Sequence, residues 1–261
     1  MITLYEHPLS PYAQKVKIAL RLKGVPFDLR RPDGIGSGRV DGEFADGNPR
    51  GEVPFLIDGD VRIFDSTIML DYVEECWPTP VLMPSAPAAR ARVRMIEDLM
   101  DTHYEAINWG LSEIKYFRRA EGELADTLRA RAGAQIAGFH RWLGKALGDA
   151  DWFNGDSVGR ADLSVVPYLN NSVNHGFPPP SGSALAAWLD RANAVPEIAQ
   201  TAAEAAATLS SLGSAYRAVE TGAFKRQYRD HRLEWMIRSG GFEVVRKGLD
   251  NGDIRFVADL D

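Results

Sequence analysis

Residues 4–20, LYEHPLSPYAQKVKIAL, hold the pattern that decides the fold of the first part of this chain. The apolar run 2–5 predicts a short strand, and a turn follows it. Ser10 stands where a helix N-cap is expected, and Pro11 takes the first helical position, where its missing N–H is no loss. Apolar residues then recur at helical spacing, at Val16, Ala19 and Leu20. The pattern therefore predicts a hydroxyl at the positive end of a helix, a place that suits an anion or a thiolate.

Strand and helix continue to alternate through residues 1–77. Residues 27–30 predict a second strand, and the glycine-rich stretch 33–47 predicts a loop with at best a short helix. Two apolar runs, 55–57 and 61–64, flank Asp-Gly-Asp and predict a hairpin. A helix capped by Asp65 or Ser66 follows. The order βαβαββα predicts one mixed sheet covered by helices.

A proline-rich linker and a long helical region follow the sheet. Four prolines between residues 78 and 87 mark the linker. Helical spacing then dominates, in the segments 88–118, 123–148, 161–174, 185–194 and 196–212. We therefore expect a first domain at 1–78, a linker at 79–87, an all-helical domain at 88–218 and an extension at 219–261. In the extension, we expect a helix from Thr221 to Arg238 and a short strand at 254–257.

Composition limits the class of protein. The chain has 261 residues, 45% of them hydrophobic, and a net charge of −6. This charge gives no electrostatic case for nucleic-acid binding. No apolar run approaches the roughly 20 residues of a membrane span, and because no basic region and apolar segment come before the first strand, we expect no signal peptide. The single cysteine, Cys76, allows neither an internal disulfide framework nor a CxxC centre. We therefore expect a cytoplasmic protein.

Four motifs in order resemble the glutathione transferase family. Ser10-Pro11-Tyr12 is similar to the signature of the serine-using classes, which include tau-like and bacterial soluble members. The segment 48–54, NPRGEVP, resembles the family's turn with a cis proline, and Asp65-Ser66 resembles its acidic-serine pair. Gly155-Asp156 followed by Ala161-Asp162 resembles the motif that starts a helix of the second domain. The resemblance implies an α/β thioredoxin-like N-terminal domain and an all-α C-terminal domain.

The resemblance also implies glutathione as co-substrate, and no metal. A cis Val53-Pro54 bond leaves the Val53 backbone free to pair with an extended peptide, as an added strand would. Asp65 and Ser66, at a helix N-terminus, are expected to hold the γ-glutamyl carboxylate. The glycine carboxylate needs a cation, for which the candidates are Arg39 and Arg50.

Ser10 is the expected activator of the glutathione thiol. A free thiol has a pKa near 8.5, so little of it is thiolate at neutral pH. A hydrogen bond from the Ser10 hydroxyl, with the helix N-terminus, would favour the anion. Two alternatives stay open: Ser10 is only an N-cap, or Tyr5 or Tyr12 donates the hydrogen bond instead.

The second substrate is expected between the two domains, in an apolar pocket that tolerates aromatic groups. Candidate pocket residues are Leu9, Tyr12, His103, Tyr104, Ile107, Asn108 and Leu111. The expected reaction is attack of the thiolate on an apolar, aromatic electrophile. The alternative function is a non-catalytic module of the same fold that binds a protein partner, with Trp235 and Met236 in its docking surface. The resemblance further implies a homodimer.

Overall fold

The first domain has the expected order of strands and helices. The structure is a computed structural model that describes residues 1–34, 36–37, 42–210, 212–227 and 230–255. Its first elements are β1 (Ile2–Tyr5), α1 (Pro11–Leu22), β2 (Phe27–Arg30), α2 (Gly42–Asp46), β3 (Phe55–Asp58), β4 (Val61–Phe64) and α3 (Ser66–Cys76). The predicted order βαβαββα is confirmed.

The sheet has the strand order β2-β1-β3-β4, with β1 parallel to β2 and antiparallel to β3. Leu4 lies opposite Leu56 on the central strands, and both are fully buried. The alternate residues Tyr5 and Phe55 pack with Phe44 of α2 in a second cluster. The two central strands are therefore buried on both faces, as in the thioredoxin-like fold.

The helical domain follows, and it contains a π turn that the sequence pattern did not indicate. Its elements are α4 (Pro87–Leu99), the π turn (Met100–Tyr104), α5 (Glu105–Lys115), α6 (Gly122–Leu147), α7 (Arg160–Asn174), α8 (Ala184–Asn193) and α9 (Pro196–Leu209). We expected one uninterrupted helix over 88–118. The π turn instead places one additional residue within a turn between α4 and α5.

Asp162 holds the start of the central helix α7. Its carboxylate accepts four hydrogen bonds from described N–H groups, those of Phe153, Asn154, Gly159 and the Trp188 indole. Burial raises the pKa of this carboxyl to about 6, and the four donors oppose that rise. Gly159, which has no side chain to cap a helix, stands at the N-cap, and the helix forms there nonetheless.

A buried ionic cluster joins the two domains. Lys15 of α1 contacts Glu97 of α4 through Nζ and Oε1 at 2.7 Å, and it also contacts Asp101. The second oxygen of Glu97 accepts from Arg160 Nε at 2.7 Å. Burial disfavours the charged carboxylate, but Lys15 and Arg160 still hold the pKa of Glu97 below its usual range. The two domains therefore meet through paired charges that water does not reach.

The extension is built from short elements that fold back on the helical domain. They are α10 (Ala215–Glu220), β5 (Arg226–Gln227), α11 (Asp230–Arg238), α12 (Phe242–Asp250) and β6 (Ile254–Arg255). Ile254 and Arg255 pair with β5 in a parallel two-stranded sheet, as the expected strand requires, whereas residues 256 and 257 lie outside the described residues. In the described part of the chain, every helix is too short or too polar to cross a bilayer.

The predicted helix from Thr221 to Arg238 is wrong over its first half. The Thr221 hydroxyl donates to the Arg217 carbonyl at 2.9 Å, so it closes the end of α10 instead of capping a new helix. Gly222 follows with a φ of +71°, which ends the helical path. Helix α11 begins only at Asp230 and ends before Gly240, where we expected it to end.

Candidate functional site

A cavity of about 810 Å³ lies between the two domains, beside the N-terminus of α1. The first domain contributes residues of the loop before α1 and of the turn before β3. The helical domain contributes faces of α5, α7 and α9, and the extension closes another part of the wall. Ser10 and Val53, two of the residues singled out from the sequence, both line this cavity.

Ser10 caps α1 and keeps its own proton available. Its Oγ accepts a hydrogen bond from the Ala13 N–H at 3.3 Å, and its backbone is extended, with φ −76° and ψ 113°. Its backbone N–H donates to the His7 carbonyl at 2.8 Å, which fixes the turn. The described part of the chain offers no acceptor for the Ser10 O–H. The hydroxyl therefore acts as an N-cap and can still donate to a ligand in the cavity.

The two tyrosine hydroxyls that compete for this role are already engaged. Tyr12 donates its O–H to the Asp101 carbonyl at 2.6 Å, across the domain boundary. Tyr5 lies in the core of the first domain, and its hydroxyl is 3.4 Å from Glu43 Oε2. Each tyrosine would have to give up a protein acceptor in order to donate to a thiolate.

The turn before β3 has the backbone form that the motif predicts. The Val53-Pro54 peptide bond is cis, and Asn48 supports the turn by donating from Nδ2 to the Glu52 carbonyl at 2.7 Å. Within the described residues the Val53 amide and carbonyl have no hydrogen-bond partner. Val53 is half-buried on the cavity wall. A second extended chain could pair with this backbone.

Asp65 is held in an unusual backbone conformation at the start of α3. Its φ is +77°, a region that non-glycine residues rarely adopt and that is often associated with functional sites. Its Oδ1 accepts from the Thr67 N–H at 2.9 Å and caps the helix, while its Oδ2 is 3.1 Å from Arg50. Ser66 follows as the first residue of the helix and is 5% exposed.

Only one of the two candidate cations for the glycine carboxylate lies among the described residues. Arg39 lies outside the described residues. Arg50 is half-exposed and pairs with Asp65, and its guanidinium also lies over the Phe64 ring at 5.6 Å from the centroid. Neither Arg50 nor the Asp65-Ser66 pair lines the 810 Å³ cavity. These groups lie outside the cavity that contains Ser10.

The structure divides the predicted pocket residues into three groups. Leu9, Tyr12 and Asn108 line the cavity. Three others, Tyr104, Ile107 and Leu111, are at most 2% exposed and belong to the helical core. His103 is exposed and contacts the Thr102 hydroxyl at 2.8 Å. The face of α5 that reaches the cavity is another stripe of the helix, formed by Glu105, Asn108, Trp109 and Ser112.

Sequence reasoning missed several residues of the cavity wall. His7, which we expected to be only a turn residue, lines the cavity; burial, followed by Arg31 and Lys17, lowers its pKa to about 4. Its Nδ1 accepts from the Leu9 N–H at 3.3 Å, so the neutral ring carries its proton on Nε2. Phe224 and Arg232 of the extension were also missed. No local signal could have placed them there, because each comes from more than 200 residues beyond Ser10.

The described residues contain no cluster of metal ligands. In the parts of the chain that the structure describes, no three histidine, cysteine, aspartate or glutamate side chains are grouped so that they could hold a metal ion.

Comparison with known proteins agrees with this geometry. The family model of the glutathione S-transferase N-terminal domain matches residues 4–80. Glutathione S-transferase Z1 of Arabidopsis thaliana is 39% identical over 182 residues, which cover 66% of this chain and 78% of that protein. A stringent starvation protein A homolog of Haemophilus ducreyi is 26% identical, over 73% of this chain and 85% of that protein.

A solved structure extends the similarity to the fold of both domains. Rice GST1, determined in complex with glutathione, superimposes with a TM-score of 0.68 at 25% identity, over 83% of this chain and 97% of the rice protein. The Arabidopsis transferase is 39% identical to this chain, which covers 78% of its length. The chain belongs to the glutathione S-transferase family.

Proposed function

We propose that this protein is a glutathione transferase that binds glutathione as its thiolate and directs it at an apolar, aromatic electrophile. The observation that supports this proposal is the geometry of Ser10. Its oxygen accepts from the α1 backbone while its proton is left for a ligand in the cavity. The sulfur forms a bond to the electrophilic carbon as the leaving group departs with its electron pair. The thiol proton has already passed to solvent.

The energy required is within reach of these groups. Lowering the thiol pKa by about two units takes roughly 2.7 kcal/mol. A hydrogen bond to a charged group contributes about 1.5–3 kcal/mol, and the N-terminus of α1 adds about 0.3–1 kcal/mol. Ser10 would therefore act as a hydrogen-bond donor to sulfur, and no general base is needed.

The rest of the tripeptide has matching partners in the first domain. The Val53 backbone, unpaired within the described residues, would pair with the cysteinyl segment, and the N-terminus of α3 at Ser66 would receive the γ-glutamyl carboxylate. Arg50 would have to share its guanidinium between Asp65 and the glycine carboxylate. The similarity to the rice enzyme solved with glutathione supports this assignment.

The test is the pKa of the bound thiol. The ultraviolet absorbance of the thiolate is titrated with glutathione bound to the wild type and to Ser10→Ala. We expect a pKa about two units below that of free glutathione in the wild type and a value near that of free glutathione in the variant. An equally low pKa in both proteins would remove Ser10 from the activating role.

The alternative, a module that binds a protein partner, cannot use the docking surface expected at Trp235 and Met236. Trp235 is 8% exposed and Met236 is fully buried, so neither is available as a docking surface. Trp235 packs against Gly110 of α5 and donates its indole N–H to Gln135. Retention on immobilised glutathione separates the two functions, since a pure binding module need not be retained.

We also propose a homodimer, as the resemblance implies. Three neighbouring elements of the described chain expose apolar side chains: Val61 on β4, Ile68 on α3 and Met95 on α4, which are 40%, 55% and 65% exposed. Burial of these residues against a second copy would remove apolar surface from water. Light scattering should give twice the chain mass of 28.8 kDa. A monomer mass would contradict the proposal.

A further inference from the structure

The cavity beside Ser10 is much larger than a single aromatic ring requires. An apolar cavity of about 150 Å³ is enough to hold benzene in a protein core, whereas this one measures about 810 Å³. The partners assigned to the glutathione carboxylates, Arg50 and Ser66, lie outside it. Glutathione would therefore occupy this volume mainly with its cysteinyl segment, beside Ser10 and Val53, and the remainder is left for the second substrate.

The wall of this volume is aromatic along α5 and the residues that follow it, and it consists of small side chains along α9. Trp109, Tyr116 and Phe117 line one part of it. Phe224 of the extension stacks parallel on Phe117, with ring centroids 5.8 Å apart and planes 3° from parallel. On α9 the wall consists mainly of alanines, among them Ala202 and Ala205. Aromatic side chains pack favourably against the flat rings of a ligand. The small alanine side chains of α9 leave enough space between the two walls for such rings.

The extension fixes the far wall in place. The Lys225 N–H donates to the Gly36 carbonyl at 2.6 Å, so the extension reaches the first domain. Gly36 is in such close contact with Phe224 that a Cβ there would lie 1.6 Å from the ring. The volume is thus bounded by both domains and the extension together.

The charges on the wall balance. Among the described lining residues the formally charged side chains are Glu52, Glu105, Lys225 and Arg232, two acids and two bases. Glu105 and Arg232 neutralise each other, with Arg232 Nε 3.0 Å from Glu105 Oε2. The described wall therefore carries no net formal charge that would offset the hydration lost by a charged substrate. The cavity therefore favours an uncharged ligand.

From these observations we infer that the electrophile is an uncharged aromatic molecule of at least two linked or fused rings, and that Ala202 determines whether it fits. This inference rests on the proposed transferase function. With a benzylic chloride as the test electrophile, the glutathione sulfur bonds to the benzylic carbon, the carbon–chlorine bond breaks, and chloride leaves with the bonding electrons. The proton lost from the thiol goes to solvent.

The test compares two benzylic chlorides with the same reacting centre: 4-nitrobenzyl chloride, with one ring, and its 4′-nitrobiphenyl analogue, with two. We expect the wild type to have the higher kcat/KM for the two-ring compound. Ala202→Leu should lower that kcat/KM at least tenfold and change the one-ring value less than threefold. The matched control is Ala203→Leu, which alters an exposed neighbour on the same helix outside the cavity and should change neither.

Binding without chemistry separates this inference from the proposed function. Calorimetry with unreactive 4-nitrobiphenyl should show binding to the wild type and at least tenfold weaker binding to Ala202→Leu, even if neither chloride reacts. In that case the transferase activity fails and the inference stands. Biphenyl-4-carboxylate should bind more weakly than the neutral compound. Equal losses for one-ring and two-ring compounds, tighter binding of the anion, or no binding of 4-nitrobiphenyl would each overturn the inference.

Discussion

Lys15 and Glu97 form an ion pair, Nζ to Oε1 at 2.7 Å, in which neither side chain is more than 2% exposed. Lys15 belongs to the helix that carries Ser10 at its start, and Glu97 belongs to the first helix of the other domain. The pair therefore fixes the helix that Ser10 caps against the first helix of the other domain.

Removal of Lys15 should unfold the junction. In Lys15→Met, Glu97 keeps Arg160, but the buried Asp101 loses its cation. Leaving a buried charge without its partner costs about 3–5 kcal/mol, so the denaturant midpoint should fall sharply. The control is Arg246→Met, which breaks a surface pair with Glu243 and should leave the midpoint unchanged. Equal midpoints for all three proteins would contradict a junction held by charge.

Replacement of Ser10 should affect activity more than its role as a cap explains. Ser10→Ala should lose about 1 kcal/mol of stability and at least tenfold in turnover with an aromatic halide, which corresponds to about 1.4 kcal/mol in the transition state. Ser183 caps α8 in the same way, accepting from the Ala186 N–H at 3.1 Å. Ser183→Ala should lose similar stability and keep its activity. If Ser10→Ala and Ser183→Ala lost activity in the same proportion to their loss of stability, Ser10 would be only a helix cap.

A methyl group at Gly110 should displace the extension. A Cβ at this position in α5 would lie 2.1 Å from the Trp235 ring, whereas one at Gly144 in α6 would meet nothing within 4 Å. Gly110→Ala should therefore shift the tryptophan fluorescence to the red and make residues after 220 sensitive to protease. Gly144→Ala should be neutral or stabilising, because alanine is the better helix former. An unchanged protease pattern in Gly110→Ala would show that the extension is not held there.

Buried histidines should make the protein sensitive to acid. Burial lowers the pKa of His140 from 6.5 to about 4 and, with nearby Lys115 and Arg129, that of His175 to about 3. Between pH 6.5 and 4 these histidines bind protons in the unfolded chain but stay neutral in the folded protein. Each histidine therefore removes up to about 1.4 kcal/mol of stability per pH unit as the pH falls through this range.

The variant His140→Gln separates the contribution of this histidine from that of other titrating groups. Asp162 acts in the opposite direction, because its pKa is raised to about 6 in the folded state. We therefore expect acidification from pH 7 to 5 to lower the unfolding free energy of the wild type more than that of His140→Gln. The two proteins are compared by urea unfolding at each pH. Parallel pH dependence would show that His140 is protonated in the folded protein.

The parts of the site that could be predicted depend on local sequence. Ser10 followed by Pro11 defines a helix start within two residues, and the structure places that cap where it was expected. The cis Val53-Pro54 bond was expected from the resemblance of segment 48–54 to the family's turn, and the structure has it. Thr221 shows where local reasoning fails. Its hydroxyl could cap a following helix or bond back to the preceding one, and the sequence around it does not distinguish these possibilities.

The far wall of the cavity could not be predicted because it depends on long-range packing. Phe224 reaches the cavity by stacking on Phe117 and pressing on Gly36, and nothing in their spacing along the chain indicates that the three meet. Tyr104 and Asn108 lie one turn apart, yet only Asn108 faces the cavity. A helical pattern indicates which residues share a stripe, but it does not state which of two apolar stripes faces a ligand.

The π turn at Met100–Tyr104 decides this orientation. Each residue of an α-helix advances the chain by about 100° around the axis. Losing one residue from this turn would rotate all of α5 by that angle and swing Asn108, Trp109 and Ser112 away from the cavity. A deletion or insertion of a single codon there would therefore change which molecules the cavity accepts in one evolutionary step, with every side chain of the old wall still encoded.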